Sequence, residues 1–190
     1  MSKTILLDAG HGGVLNGLYQ TSGKRSPKWD DGSILYEGEF NRAIKARLKE
    51  MFQMEGINYV DINPQDTDLS LSDRVSKANT YRGDSLYVSI HANAGGGTGC
   101  EVFTSENCSS TSTAMAKAFE DSYSKHFPEE RWRGVKKRNY QVIKDTAMPA
   151  VLLECFFMDT ERECKEYLMT KKGRNQIAKW IFDTIVDFIA

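Results

Sequence analysis

The chain of 190 residues has only three histidines and four cysteines, and its charges nearly cancel, 25 Lys and Arg against 26 Asp and Glu. A formal net charge of −1 supplies no broad basic field, so no nucleic-acid partner is expected. Cys100, Cys108, Cys155 and Cys164 form no C-x-x-C pair. A chain of this size does not need disulfides, and these cysteines read as small buried hydrophobes. No apolar run approaches the roughly 20 residues of a membrane span, which removes a membrane partner. The glycine turns carry neither a dinucleotide fingerprint nor a P-loop lysine, which argues against nucleotide binding. There is no repeat, no low-complexity tract and no linker. Met1-Ser-Lys-Thr leads into a short apolar stretch without a signal-peptide core or cleavage site. The expectation is a chain made in the cytoplasm without a leader, or a piece of a longer protein whose leader or binding module is missing.

What is present reads as one soluble domain, 1–190, expected to be a monomer: 40% of residues are hydrophobic and 27% charged. Strands are expected at 3–7, 57–62, 85–91, 100–104, 140–143 and 150–154. Helices are expected from Glu37 to Met54, over 70–81, over 111–126, near 160–170 and over 173–189. Phe40, Ala43, Ile44, Leu48, Met51 and Phe52 make a helical stripe. Ser70-Leu-Ser-Asp73 has capping-box form, with Asp replacing the usual Glu. Alternating elements imply an α/β three-layer sandwich, a mainly parallel mixed sheet of about six strands with helices on both faces. The segment 12–36 is a long polar loop, of a length that is usually functional. The one basic cluster, Arg131-Trp-Arg-Gly-Val-Lys-Lys-Arg138, reads as a solvated loop.

The chemistry begins at Thr4-Ile-Leu-Leu-Asp-Ala-Gly-His11-Gly-Gly13, where an apolar strand stops at a glycine-bracketed histidine. His91 sits in a matching context, after Leu86-Tyr-Val-Ser-Ile90 and before Gly95, Gly96 and Gly97. One strand-end histidine is usually a hydrogen-bonded loop residue. Two of three in matching contexts point to ligands of one metal, at the carboxyl ends of strands where active groups of such sheets gather. A catalytic zinc takes three protein ligands and leaves one position open. Glu37, opening the first long helix, is the carboxylate of choice. Glu39 stands about 200° further round a helix and would point away. Glu154 ends the apolar strand Pro149-Ala-Val-Leu-Leu153 and is the candidate general base. Burial should raise its pKa and a neighbouring zinc should lower it, so no net direction is expected. Asp8 either orients a ligating histidine or closes the turn. Cys155 lacks a basic partner and reads as packing, and His126 reads as an exposed residue at a helix C-terminus.

With these residues in place, the chain resembles the zinc-dependent N-acetylmuramoyl-L-alanine amidases, the amidase_3 family of cell-wall hydrolases. The resemblance runs through Leu-Asp-Ala-Gly-His11-Gly-Gly, Glu37-Gly-Glu-Phe-Asn-Arg, Leu71-Ser-Asp-Arg74 with Ala78-Asn79, Ser89-Ile-His91-Ala-Asn-Ala and Pro149-Ala-Val-Leu-Leu-Glu154. It implies Zn2+ on His11, Glu37 and His91, with Glu154 catalytic. It implies peptidoglycan as the substrate, cut between N-acetylmuramic acid and L-alanine. Two departures stand out: Cys155-Phe156-Phe157 replaces the usual small residue and Gly-Phe, and Glu37-Gly-Glu39 replaces Glu-Lys-Asp. Oxyanion support is expected from the amides of Gly95–Gly97 or from Asn93. The segments 12–36 and 128–139 should wall an open groove. There Tyr19, Trp29, Tyr36 and Trp132 either stack on substrate or pack internally. A leaderless amidase fits a phage or prophage endolysin acting on the wall after release; a host sporulation or division amidase is the alternative. So is another zinc hydrolase cutting the stem peptide. A catalytically dead binding module would lack one of the four site residues, and none is missing.

Overall fold

Apolar segments two residues out of phase with solvent build the sheet, and they sort its side chains onto two unlike faces. The structure, a computed structural model, describes residues 3–81 and 83–190. Its strands are β1 (Thr4–Ala9), β2 (Val14–Leu15), β3 (Leu18–Tyr19), β4 (Tyr59–Asp61), β5 (Ser85–Asn93), β6 (Cys100–Thr104), β7 (Trp132–Lys137) and β8 (Ala150–Phe157). Its helices are α1 (Glu37–Met54), α2 (Leu71–Ala78), α3 (Ser110–His126), α4 (Gln141–Lys144), α5 (Glu161–Glu163), which runs into a π-helical turn at Cys164–Leu168, and α6 (Lys171–Ile189). Six strands form one sheet in the order β4-β1-β5-β8-β6-β7. All neighbours are parallel except β6 and β8.

Alternate residues along each strand divide the core. Ile5, Leu7, Val88, Ile90, Val151 and Leu153 face the long helices α1, α3 and α6, and pack with Phe40, Ile44, Phe119 and Ile181. Trp180 lies at the centre of this layer, wholly buried, with Phe119, Tyr123, Phe127 and Trp132 around its ring. The opposite residues, Leu6, Tyr87, Phe103 and Leu152, meet a smaller cluster with Val142 and Ile143 of α4 and Ala78 of α2. One face therefore carries three long helices. The other carries two short ones, which leave its carboxyl-terminal end open.

The three-layer fold with a mixed six-stranded sheet agrees with the sequence reading, but the sixth strand does not. Residues 140–143, expected as a strand, begin with the helix cap Tyr140 and turn into α4. Adjacent Val142 and Ile143 are both buried on one side, which one helical turn achieves and an alternating strand does not. The sixth strand is instead β7, inside the basic cluster read as a loop. Lys and Arg suit an exposed edge, where charge discourages further pairing. The loop 12–36 contains the hairpin β2–β3, closed by Asn16 and Gly17 with φ of 51° and 78°. The second helix stops at Ala78, short of 81. Half of its capping box is made: Ser70 Oγ accepts the Asp73 amide at 3.1 Å, but it donates its own hydroxyl to Asp73 Oδ2 at 2.6 Å in place of the reciprocal backbone bond. Cys100, Cys155 and Cys164 are buried free thiols, whereas Cys108 is partly exposed beside Thr113. His126 is less exposed than expected, lying 3.5 Å from Asp183 of α6.

Truncating Trp180 to Ala removes the hub of the three-helix face. Urea denaturation should show a loss of about 3–5 kcal/mol. A loss below about 1 kcal/mol would mean that the ring is dispensable to the core.

Candidate active site

Beyond Ala9 the first strand leaves the ladder, and its backbone needs new partners. Side chains from other elements supply them. Asn63 clamps Ala9, accepting its amide at 3.1 Å and donating to its carbonyl. Arg74 of α2 donates to Asp8 Oδ1 and the Ala9 carbonyl at 2.6 Å each, and to the His11 carbonyl at 3.1 Å. Asn41 of α1 donates to the Gly10 carbonyl at 3.0 Å, and Arg42 to the His11 carbonyl at 2.8 Å. Asp8, Asn41, Asn63 and Arg74 are all buried. They hold His11 at φ 65°, a left-handed conformation that most side chains avoid. Gly10 must be glycine for a second reason: a Cβ there would overlap the His91 imidazole. A Cβ at Gly38 would likewise strike the Gly12 carbonyl.

The amino-terminal end of α1 brings Glu37 to this turn. Its amide donates to the Lys24 carbonyl at 3.0 Å, and the next amide, of Gly38, donates to Tyr19 Oη at 3.0 Å. Glu37 is only 2% exposed. His91 Nδ1 lies 3.0 Å from its Oε1, and His11 Nε2 lies 3.2 Å from its Oε2. The two imidazoles meet edge to face with centroids 5.0 Å apart. Burial opposes the Glu37 charge, but the hydrogen bonds from His11 and His91 outweigh it and hold the carboxyl well below the usual carboxylate range. One donor atom from each residue falls within 4.8 Å of the others, a group that could hold a metal ion. Glu39 turns the other way and forms a two-pronged ion pair with Arg174, at 2.8 and 2.7 Å.

Sheet register adds Glu154. It stands directly opposite His91 on the parallel pair β5–β8 and opposite Glu101 on the antiparallel pair β6–β8. Its Oε2 is buried without a hydrogen-bond partner among the described residues. Burial pushes the carboxyl up to about 7, with His91 opposing the rise and the charges of Glu37 and Glu101 adding to it. His11, Glu37, His91 and Glu154 all line one cavity of about 340 Å³, with Lys24, Tyr140 and Val142 among its other walls. A second cavity of about 440 Å³ lies across His11 and His91, bordered by Asp68, Leu71 and Arg74. Together they give an open cleft over the thinly covered face.

Several expected helpers have other duties. Gly95 and Gly96 both donate their amides to Asp159 Oδ2, at 2.7 and 3.0 Å, and Asn93 Nδ2 donates to Glu101 Oε1 at 2.8 Å. The Gly95 and Gly96 amides are thereby turned away from an oxyanion role, and Asn93 spends one of its two amide hydrogens on Glu101. Asp8 bonds Arg74 and Ser89 rather than a ligand histidine. Trp132 packs at 4.9 Å from Tyr123 and donates to Glu120 at 3.0 Å. Tyr19 stacks on Tyr36 at 4.5 Å while accepting the Gly38 amide, which is a structural use of both rings. Arg74 was visible in the sequence only as part of a motif. Tyr140 and Lys24 gave no signal, because nothing local marks a residue as lining a cleft built from distant strands.

The sequence profile of the family described as N-acetylmuramoyl-L-alanine amidase matches residues 5–187. A sporulation-specific N-acetylmuramoyl-L-alanine amidase of Bacillus subtilis (strain 168) is 30% identical over 82% of this chain and 56% of its own length. The endolysin of Bacillus phage SPP1 is 32% identical over 86% of this chain and 58% of its own length. The chain thus spans little more than half of either relative. The catalytic domain of CwlV, an N-acetylmuramoyl-L-alanine amidase from Bacillus (Paenibacillus) polymyxa var. colistinus, superposes with a TM-score of 0.78 at 29% identity, over 98% of this chain and 97% of that one.

The raised Glu154 pKa sets a pH test of stability in the presence of a chelator. Above its ordinary value of 4.5 the unfolded carboxyl ionises, whereas the folded one keeps its proton until about pH 7. Stability is therefore lost as pH climbs through that window. Glu154→Gln should match the wild type near pH 4 and exceed it near pH 8, by about 3 kcal/mol. Parallel stability curves would show that the carboxyl is solvated.

Proposed function

Because the chain belongs to the N-acetylmuramoyl-L-alanine amidase family, we propose that it hydrolyses the amide joining N-acetylmuramic acid to L-alanine in peptidoglycan, with one zinc ion held by His11, Glu37 and His91. The donor set suits zinc: two imidazole nitrogens and a carboxylate oxygen leave a fourth position open. The two imidazole nitrogens lie 3.0 and 3.2 Å from the two oxygens of the Glu37 carboxylate, so the three groups that would hold the ion converge on one place. When bound, zinc supplies Lewis acidity, which acidifies water and polarises the scissile carbonyl.

The observation that carries this reading is Glu154, which lines the same cavity as the three candidate ligands and whose buried Oε2 has no hydrogen-bond partner among the described residues. A carboxyl poised near neutrality can take a proton and return it. Glu154 accepts a proton as a water oxygen attacks the carbonyl carbon. It then delivers that proton to the amide nitrogen as the carbon–nitrogen bond breaks. The products are the muramyl carboxylate and the free amine of L-alanine. An open cleft rather than a closed pocket suits a polymer. The likeness to an endolysin supports action on a host wall at lysis, and the likeness to a sporulation enzyme supports a host role on the same bond.

Digestion of purified cell walls should release free amino groups on L-alanine without new reducing sugar ends. Cleavage within the stem peptide would replace this reading with a peptidase. Glu154→Ala should lower the rate at least a hundredfold while zinc content by elemental analysis stays at that of the wild type. Gly10→Ala should do the reverse, losing zinc because the added methyl displaces His91. Full zinc occupancy in Gly10→Ala would remove His91 from the ligand set.

A further inference from the structure

The basic residues of β7 are not spread evenly over the edge of the sheet. Gly134, at φ 94°, lies where the β6–β7 register shifts. The extra residue puts Arg133 and Lys136, three positions apart, on one face. Both reach Glu101, Arg133 Nε at 2.6 Å and Lys136 Nζ at 2.5 Å. Glu101 is 5% exposed and stands beside Glu154 across the β6–β8 pair. Arg138 follows, with its guanidinium 5.2 Å from the Tyr140 ring centroid. Arg133 lies 4.8 Å over Phe157. Arg138 is thus one contact from the cleft, through Tyr140, and Arg133 and Lys136 are two, through Glu101 and Asn93.

Two cations, Arg133 and Lys136, face one carboxylate, Glu101, and Arg138 adds a third positive charge beside them. No carboxylate among the described residues pairs with Arg138. A single buried acid with two basic partners is more than neutralised. It fixes two long side chains that would otherwise wander, on the wall of sheet that continues past Glu154. We infer that this wall is a carboxylate-binding subsite that selects stem peptides bearing a free carboxylate close to the scissile L-alanine. The inference rests on the amidase reading above and deepens it. The subsite lies on the β8–β6–β7 side of Glu154, so the peptide leaves the reacting carbonyl in that direction.

The test uses two soluble muramoyl peptides, identical except that the carboxylate nearest the L-alanine is free in one and a carboxamide in the other. The zinc-loaded wild type should favour the free acid by about tenfold in kcat/KM, chiefly through KM. In Arg138→Gln, and in Lys136→Gln, that ratio should fall towards one. Arg138 has no acidic partner to orphan, so its variant tests recognition rather than folding. A wild-type ratio near one overturns the subsite. So does a ratio that survives both substitutions, even if both substrates then react more slowly. Cleavage of neither peptide at the muramoyl amide would instead sink the amidase reading, and the subsite with it.

Discussion

The buried guanidinium of Arg74 is the interaction on which the candidate site depends. It neutralises Asp8 at the end of β1 and grips the carbonyls of Ala9 and His11 from across the α2 side of the sheet. A strand that ends under a histidine in the left-handed conformation has backbone groups pointing where no ladder can meet them. Without Arg74, Asp8 would be a buried charge with no cation, a defect worth about 3–5 kcal/mol. The turn would also lose the constraint that sets the direction of the imidazole. Asn63, Asn41 and Arg42 complete the hold. In each case a side chain from a different segment binds the backbone of one short loop, so the ligand geometry is set by the packing of the whole domain.

The unequal cover of the sheet then decides where chemistry can occur. Three long helices close one face with a continuous apolar layer. On the other, α2 and α4 cover only part of the sheet, and the polar residues Asp8, Ser89, His91 and Glu154 follow one another at the carboxyl ends of their strands, with Glu101 beside them at the start of the antiparallel β6. The same alternation that buries Ile90 and Leu153 turns His91 and Glu154 towards the open cleft. Glu37 reaches that cleft from the fully covered side, at the tip of α1, which packs on the Gly12 backbone through Gly38.

Most of the architecture was legible from pattern. Apolar runs marked the buried strands, a period-3.6 stripe marked α1, and glycine-bracketed histidines marked strand ends. The failures share a cause. Val142-Ile143 carries too few residues for a period, so a strand and a helical turn read alike. Segment 131–138 hides its strand because an edge needs no apolar alternation and Gly134 breaks what there is. The meeting of His11, Glu37, His91 and Glu154 was inferred from residue types at strand and helix ends. The engagement of Gly95, Gly96 and Asn93 by Asp159 and Glu101 was not, because those partners are set by register and loop packing, and local sequence encodes neither.

The strand order also has a consequence for how the domain comes into being. The three central strands, β1, β5 and β8, are neighbours in space, yet β8 lies near the end of the chain and β1 near its start. His11 and Glu154 are 154 − 11 = 143 positions apart. During synthesis β1 and β5 can pair early, but the slot between β5 and β6 stays empty until β8 arrives. Glu154 is therefore the last of the four candidate groups to take its place. A shorter intermediate on the ribosome can gather His11, Glu37 and His91, but the full set forms only in the step that closes the sheet.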